Sequence, residues 1–205
     1  MRIKSTLRAS LLRLLPLLLG ALVCAAPASA QHAALPGNSV YRLAATMTDQ
    51  DGKAFKLDDK RGQPVLVSMF YNSCQFVCPM LIDTMRATEQ TLTPDERAHL
   101  SMLLVTFDPA RDDVKTLKAV SVQRELDPAR WTLARTDAAS VRKLAATLEI
   151  QYRLLSSGEY NHTTVLVLLD ADGRVVGRSR KMGAVDPAFQ KLLRATLLAA
   201  PKTPS

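Results

Sequence analysis

The sequence has few cysteines, only three in 205 residues. It also lacks internal repeats, long linkers and low-complexity blocks, and its basic residues are scattered among acidic ones rather than gathered into a run. Scattered charge of this kind excludes a nucleic-acid footprint. So few cysteines exclude a disulfide scaffold, and the roughly 175 residues beyond the N-terminal segment can bury a core without one. The chain is therefore expected to form one globular domain.

No apolar run reaches the roughly 20 residues that span a bilayer. The longest run, residues 14–23, is broken by Pro16 and follows a basic stretch. Small residues suited to cleavage come next, in Ala28-Ser29-Ala30. This order predicts that residues 1–30 are a cleavable signal peptide. The alternative is that the segment is kept as a membrane anchor.

Export would place the protein in the periplasm, either free or anchored to the membrane and facing the periplasm. Cleavage after Ala30 removes Cys24 together with four basic residues and no acidic ones, so the net charge falls from +8 to +4. Only Cys74 and Cys78 then remain. In an oxidising compartment paired thiols tend to form a disulfide unless something holds them. The chemistry of the chain is therefore expected at this pair.

The hydrophobic pattern predicts alternating strands and helices after a flexible leader at residues 31–40. A turn at Gly52 predicts an N-terminal β-hairpin. Further strands are predicted at 65–70, 100–107, 131–134, 163–169 and 174–179, and helices at 79–91, 113–125, 137–148 and 186–198. Such alternation is typical of an α/β fold with a central sheet and helices on both faces. The predicted domain covers residues 41–200.

Cys74 and Cys78 lie where the buried strand 65–70 ends and a helix begins at Pro79. A helix N-terminus presents free N–H groups and the positive end of the helix dipole, which favour thiolate over thiol. Cysteines four residues apart share one face of a helical turn, so both sulfurs can reach one ion. Two thiolates suit Cu(I) and also accept zinc. The structural alternative is a buried pair or a plain disulfide.

Three motifs carry a resemblance to a known family. They are Cys74-Gln75-Phe76-Val77-Cys78-Pro79 after an apolar strand, the segment Asp108-Pro109-Ala110-Arg111-Asp112, and Asn161-His162-Thr163-Thr164 before an Asp-Gly turn. In this order they resemble the Sco/SenC copper chaperones of cytochrome c oxidase assembly, whose thioredoxin-like domain carries a Cys-x-x-x-Cys-Pro motif. The resemblance spans roughly residues 40–198.

The resemblance implies a thioredoxin-like fold with a central mixed sheet, helices on both faces and an N-terminal β-hairpin. It implies a copper site, for Cu(I), Cu(II) or both, built from Cys74, Cys78 and His162. The two cysteines would also be a redox-active pair. Asp108 would support the site or dock a partner, and the alternative is a turn-forming aspartate that caps the next helix.

By the same resemblance the protein is a membrane-proximal metallochaperone. It would pass copper to the copper-site subunit of cytochrome c oxidase or to another periplasmic copper protein, and could also reduce that acceptor's cysteines. A thiol reductant would be a further partner, and nucleic acid would not. No catalytic turnover is required for this role.

The alternative function is a periplasmic thiol–disulfide oxidoreductase, because a dithiol at a helix start also performs disulfide exchange. The usual exchange motif has two residues between its cysteines, whereas this chain has three, and no proline lies just before His162. The chain also departs from the family pattern, in which an aspartate commonly precedes the histidine; here that position holds Asn161. Loss of the acid weakens electrostatic support for the metal.

Overall fold

The computed structural model describes residues 34–201. The predicted signal peptide at residues 1–30 lies outside the described residues and stays a prediction. Near the end of the predicted leader, Ser39 and Val40 are buried. The Val40 N–H donates to the carbonyl of Gly173 at 2.9 Å, and the Ser39 hydroxyl donates to the carbonyl of Asp172 at 2.6 Å. These two residues are therefore part of the packed domain.

The described chain alternates between strands and helices, as its hydrophobic pattern predicts. The strands are β1 (Thr46–Asp49), β2 (Ala54–Lys56), β3 (Val65–Phe70), β4 (Ser101–Thr106), β5 (Trp131–Arg135), β6 (Tyr152–Leu154), β7 (Tyr160–His162), β8 (Leu166–Leu169) and β9 (Val175–Ser179). The α-helices are α1 (Val77–Gln90), α2 (Pro94–Ala98), α3 (Val114–Gln123), α4 (Ala138–Leu148) and α5 (Pro187–Ala199). Over residues 34–201, no helix combines the length and apolarity needed to cross a membrane.

Seven of the strands form one mixed sheet in the order β2-β1-β5-β4-β3-β8-β9. Strands β3, β4 and β5 are parallel, whereas β1 and β8 run antiparallel to their neighbours. Strands β1 and β2 form the predicted N-terminal hairpin, with Gly52 in its turn at a positive φ of 79°. The predicted mixed α/β architecture is confirmed.

The centre of the sheet is covered on both faces. Every residue of β3 and of β4 is buried. Because side chains alternate between the two faces of a strand, full burial requires packing on both sides. The helices supply buried apolar side chains for this packing, among them Leu81, Leu117, Leu144 and Leu193.

A buried carboxylate ties α1 to β5. Glu89 is 6% exposed. It accepts a hydrogen bond from the Trp131 indole N–H at 2.9 Å and one from Arg130 Nε at 2.6 Å. The indole N–H therefore has its partner inside the core, as buried polar groups require.

The structure differs from the sequence prediction in one place that matters for function. The strand predicted at 163–169 is shorter, because β8 begins at Leu166. The residues before it form a separate hairpin of β6 and β7, which pair only with each other. His162 therefore ends a small hairpin rather than beginning a strand of the main sheet. Both hairpin strands have three residues and are half exposed, so they carry no clear period-two pattern.

Candidate metal centre

The predicted site residues meet at one edge of the main sheet. Strands β3 and β4 are parallel and in register to Phe70 and Thr106, so both end at this edge. The cysteine loop follows β3, and Asp108 follows β4. Strand β8 is antiparallel to β3 and pairs Val167 with Val67, so the chain just before β8 lies at the same edge. This topology brings the hairpin that carries His162 to the cysteine loop.

Cys74 Sγ, Cys78 Sγ and a ring nitrogen of His162 lie within 4.8 Å of one another. Within residues 34–201 this is the group of cysteine, histidine and acidic side chains placed to hold a metal ion. Both thiols are free, Cys74 being partly exposed and Cys78 only 2% exposed. Two sulfurs and one imidazole make a soft donor set that fits Cu(I). A closed structural zinc site normally has four protein ligands, whereas this group supplies three.

The first cysteine caps the helix that contains the second. The side chain of Phe76, the residue before α1, makes no hydrogen bond to the helix. The Cys78 N–H instead donates to Cys74 Sγ at 3.4 Å. Burial alone would raise the pKa of the Cys74 thiol, but hydrogen bonds from the backbone amides of Cys78, Phe76 and Val77 outweigh it and lower the pKa. Burial raises the pKa of the Cys78 thiol, and the nearby Cys74 raises it further. The two thiols are therefore chemically unequal.

In the reduced, metal-free protein we expect iodoacetamide to alkylate Cys74 at least about tenfold faster than Cys78, because the thiolate is the nucleophile and Cys74 is also more exposed. The alkylation rate of Cys74 should rise with pH and reach half its maximum at a lower pH than that of an ordinary exposed thiol, because its pKa is lowered. Mass spectrometry of the alkylated peptides across a pH series measures both rates. Equal rates at the two positions would contradict the asymmetry.

His162 is held between aromatic rings. Its ring centroid lies 4.9 Å from that of Phe107 and 5.9 Å from that of Tyr71. Burial lowers the pKa of His162, although a contact of its Nδ1 with the Thr163 carbonyl at 3.4 Å opposes this. A lowered pKa favours the neutral ring at pH 7, which is the form that binds metal.

The SCO1/SenC family model matches residues 37–196. The chain belongs to the SCO1/SenC family. A protein of Stutzerimonas stutzeri described as copper-binding is 30% identical over 127 residues, which are 58% of this chain and 59% of that protein. This SCO1/SenC chain thus spans less than two thirds of the length of that relative.

Solved structures show the same fold. Copper-bound ScoI of Bradyrhizobium japonicum is 25% identical, with a TM-score of 0.59 over 74% of this chain and 96% of that one. Copper-bound ScoI of Arabidopsis thaliana is 17% identical, with a TM-score of 0.65 over 74% of this chain and 96% of that one. The expected thioredoxin-like fold of the SCO1/SenC family is confirmed.

An aromatic cluster that no sequence pattern predicted lies under the hairpin of this SCO1/SenC chain. Phe107 stacks on Tyr152 at 5.3 Å between ring centroids and meets the edge of Tyr160 at 5.1 Å. Tyr71 packs against Tyr160 and Phe107, each at 5.2 Å. Part of this cluster could have been predicted from position, because Tyr71 and Phe107 directly follow β3 and β4 and so lie at the same edge of the sheet.

Asp108 lies outside the group of metal-binding atoms. It is 3% exposed, its carboxylate accepts from Arg111 Nε, and its backbone N–H donates to Thr106 Oγ1 at 3.0 Å. The cap of α3 is Asp113, which accepts from the Thr116 N–H at 2.7 Å, so Asp108 is not the capping residue. Its role in supporting the site or docking a partner stays a prediction.

Asp112 is a second aspartate at this edge to which the sequence assigned no role. It is 2% exposed and accepts hydrogen bonds from the Thr106 hydroxyl and, at 3.0 Å, from the Asn72 N–H. Burial raises the pKa of its carboxyl, although both hydrogen bonds oppose this. Asp112 therefore fastens the cysteine loop to the end of β4.

Proposed function

We propose that this SCO1/SenC protein binds one copper ion through Cys74, Cys78 and His162 and delivers it to the copper centre of a respiratory oxidase. The observation that carries the proposal is the approach of two sulfurs and one imidazole nitrogen to within 4.8 Å of one another. Thiolate and neutral imidazole ligands suit Cu(I). The copper-bound ScoI structure of Bradyrhizobium japonicum, at 25% identity, supports the choice of metal.

The surroundings of the site suit transfer to another protein. Cys74 is partly exposed, and it lies beside three exposed apolar side chains, those of Phe76 (81% exposed), Val77 and Met80. Exposed apolar side chains gathered at one place are typical of interaction sites. A three-ligand site leaves a coordination position through which an acceptor's thiolate or imidazole can reach the ion. The ion is cargo in this scheme, so no catalytic turnover is needed.

The acceptor follows from the resemblance to chaperones of cytochrome c oxidase assembly. The copper-site subunit of that oxidase, or another periplasmic copper protein, is the proposed partner. With such a partner, this protein would work in the periplasm at or near the membrane. A thiol reductant would keep Cys74 and Cys78 able to bind the ion, since paired thiols in that compartment oxidise readily.

We expect copper to move to a metal-free oxidase copper-site fragment when the copper-loaded protein is mixed with it under reducing conditions. The transfer is followed by the absorption of the fragment's copper centre and by metal analysis of the two separated proteins. The matched control is the Cys74→Ser, Cys78→Ser double variant, which should arrive without copper and transfer none. If the parent keeps its copper in the presence of the fragment, the acceptor assignment is wrong.

A second candidate function is thiol–disulfide exchange, favoured by the inequality of the two thiols. A partly exposed Cys74 with a lowered pKa beside a buried Cys78 is an arrangement that attacks disulfides through the first thiol and resolves through the second. In that reaction His162 has no ligand role. Copper affinity and exchange activity therefore respond differently to loss of the imidazole.

A further inference from the structure

The hairpin that carries His162 takes its position from side chains. Strands β6 and β7 share no backbone ladder with the seven-stranded sheet. In the described chain, the hydrogen bonds that join residues 152–162 to other elements involve side chains. Those of Arg111 and Tyr71 bond to the hairpin, and that of Asp108 bonds to Tyr160. Ring packing on Phe107 and Tyr71 completes the contact. Whatever holds these side chains in place therefore also determines the position of His162.

Arg111 grips the hairpin at its turn. Its Nη2 donates to the carbonyl of Gly158 at 2.9 Å, and its guanidinium lies over the ring of Tyr160, 5.6 Å from the centroid. Gly158 has a positive φ of 84°, a conformation that glycine adopts without strain and that gives the turn its shape. Tyr160 is two residues from His162 on the same short strand, so this contact bears directly on the placement of the imidazole.

The orientation of Arg111 is fixed by the buried carboxylate of Asp108. Its Nε donates to the carboxylate of Asp108, which is 5% exposed in its side chain, whereas the arginine side chain is 45% exposed. Asp108 is held in turn through its backbone contact with Thr106 at the end of β4. Because a guanidinium is a planar fork of donors, fixing Nε against one acceptor directs Nη2 towards the next.

We propose that Arg111 is a positioning residue for His162: aimed by Asp108, it clamps the hairpin at Gly158 and Tyr160 and so holds the imidazole beside Cys74 and Cys78. This inference rests on the proposed function, since it assumes that His162 is a copper ligand. It gives Asp108 a defined part, which is to orient Arg111 and to bond Tyr160 of the hairpin rather than to bind the ion. Without the clamp, the hairpin keeps its own two-stranded pairing but loses its fixed distance to the sulfurs.

The test compares Arg111→Ala in the parent and in a His162→Ala background, with Cu(I) affinity measured by competition with a chromophoric chelator. We expect Arg111→Ala to weaken binding about 10-fold to 100-fold in the parent, the usual cost of losing a group that orients a ligand. In the His162→Ala background it should have no effect, because the ligand on which it acts is gone. Arg153→Ala removes an exposed arginine from the same hairpin and serves as the matched control, with affinity unchanged.

A second readout needs no copper. In the metal-free protein, hydrogen exchange of the Tyr160 amide, which bonds to the Tyr71 hydroxyl outside the hairpin, should be faster in Arg111→Ala, whereas amides of β3 and β4 should be unchanged. Arg111→Gln, which removes the guanidinium and keeps a polar side chain, should reproduce both results. If neither variant folds, Arg111 is a general stability residue and the inference is overturned.

The outcomes separate this inference from the proposed function. If His162→Ala weakens copper binding and Arg111→Ala does not, the clamp is wrong and the copper site stands. Equal loss in both backgrounds would show that Arg111 acts on the thiols or on the whole fold, which also overturns the clamp. If His162→Ala leaves copper binding intact, the ligand set itself is wrong, and the inference fails with it.

Discussion

Replacing His162 by alanine is expected to weaken Cu(I) binding more than about 100-fold, because loss of an outer orienting group already costs about 10-fold to 100-fold and this change removes a donor atom. The disulfide-exchange activity of Cys74 and Cys78 should persist, since neither sulfur is altered. Chelator competition measures the first effect, and reduction of a model disulfide measures the second. The variant thus separates metal binding from thiol chemistry.

The matched control is His99→Ala. His99 is the only other histidine among residues 34–201, and its partly exposed ring contacts the Asp95 carbonyl at 2.8 Å, at the end of α2. Its loss should leave copper affinity unchanged. If His162→Ala still binds copper as tightly as the parent, His162 is not a ligand and the site consists of the two sulfurs alone. Thiol–disulfide exchange would then be the better hypothesis for this SCO1/SenC chain.

Glu89→Ala is expected to destabilise the metal-free protein by about 3 kcal/mol, the lower end of the range for breaking a buried ion pair. The change leaves the Trp131 indole N–H without its partner in the core, whereas Arg130 keeps a second contact, with Asp127 at 2.6 Å. A urea titration followed by tryptophan fluorescence gives the free energy of unfolding. Copper affinity of the folded variant should be unchanged, because Glu89 lies near the far end of α1 from Cys78.

Asp83→Ala provides the comparison on the same helix. Asp83 is exposed and meets Arg124 at 3.5 Å. Exposed pairs of this kind contribute about 0 to 1 kcal/mol. Glu89→Gln, which keeps an acceptor for the indole and removes the charge, should fall between the two. A cost for Glu89→Ala no larger than that for Asp83→Ala would show that the contact of α1 with β5 is not held by this carboxylate.

Much of the fold was predictable because its central strands carry strong local signals. The apolar run at residues 65–70 is buried on both faces, as a strand in the middle of a parallel region must be. The junction between this strand and α1 placed the two cysteines correctly at a sheet edge. Helix α1 begins at Val77, two residues before the predicted start at Pro79, because Cys74 supplies a cap that residue type alone does not reveal.

The remainder of the site depends on contacts between distant parts of the sequence. Tyr71 bonds to Glu159, and Arg111 bonds to Gly158, across separations of 88 and 47 residues. Neither contact leaves a periodic pattern in the sequence. The short strands β6 and β7 also show no clear hydrophobic pattern. The approach of His162 to the thiols was therefore implied by the family resemblance rather than by the residues themselves.

Because the β6–β7 hairpin is separate from the main sheet, it bears on how copper would leave in the proposed delivery. The imidazole can swing away and return without breaking any backbone pair of the seven-stranded sheet, since the hairpin carries its own pairing with it. In the proposed delivery, the ion would then stay on the two sulfurs while a ligand of the acceptor takes the place of the imidazole. Release would then break one metal–ligand bond at a time. It would cost only the few side-chain contacts that hold the hairpin, and the seven-stranded sheet would not need to move.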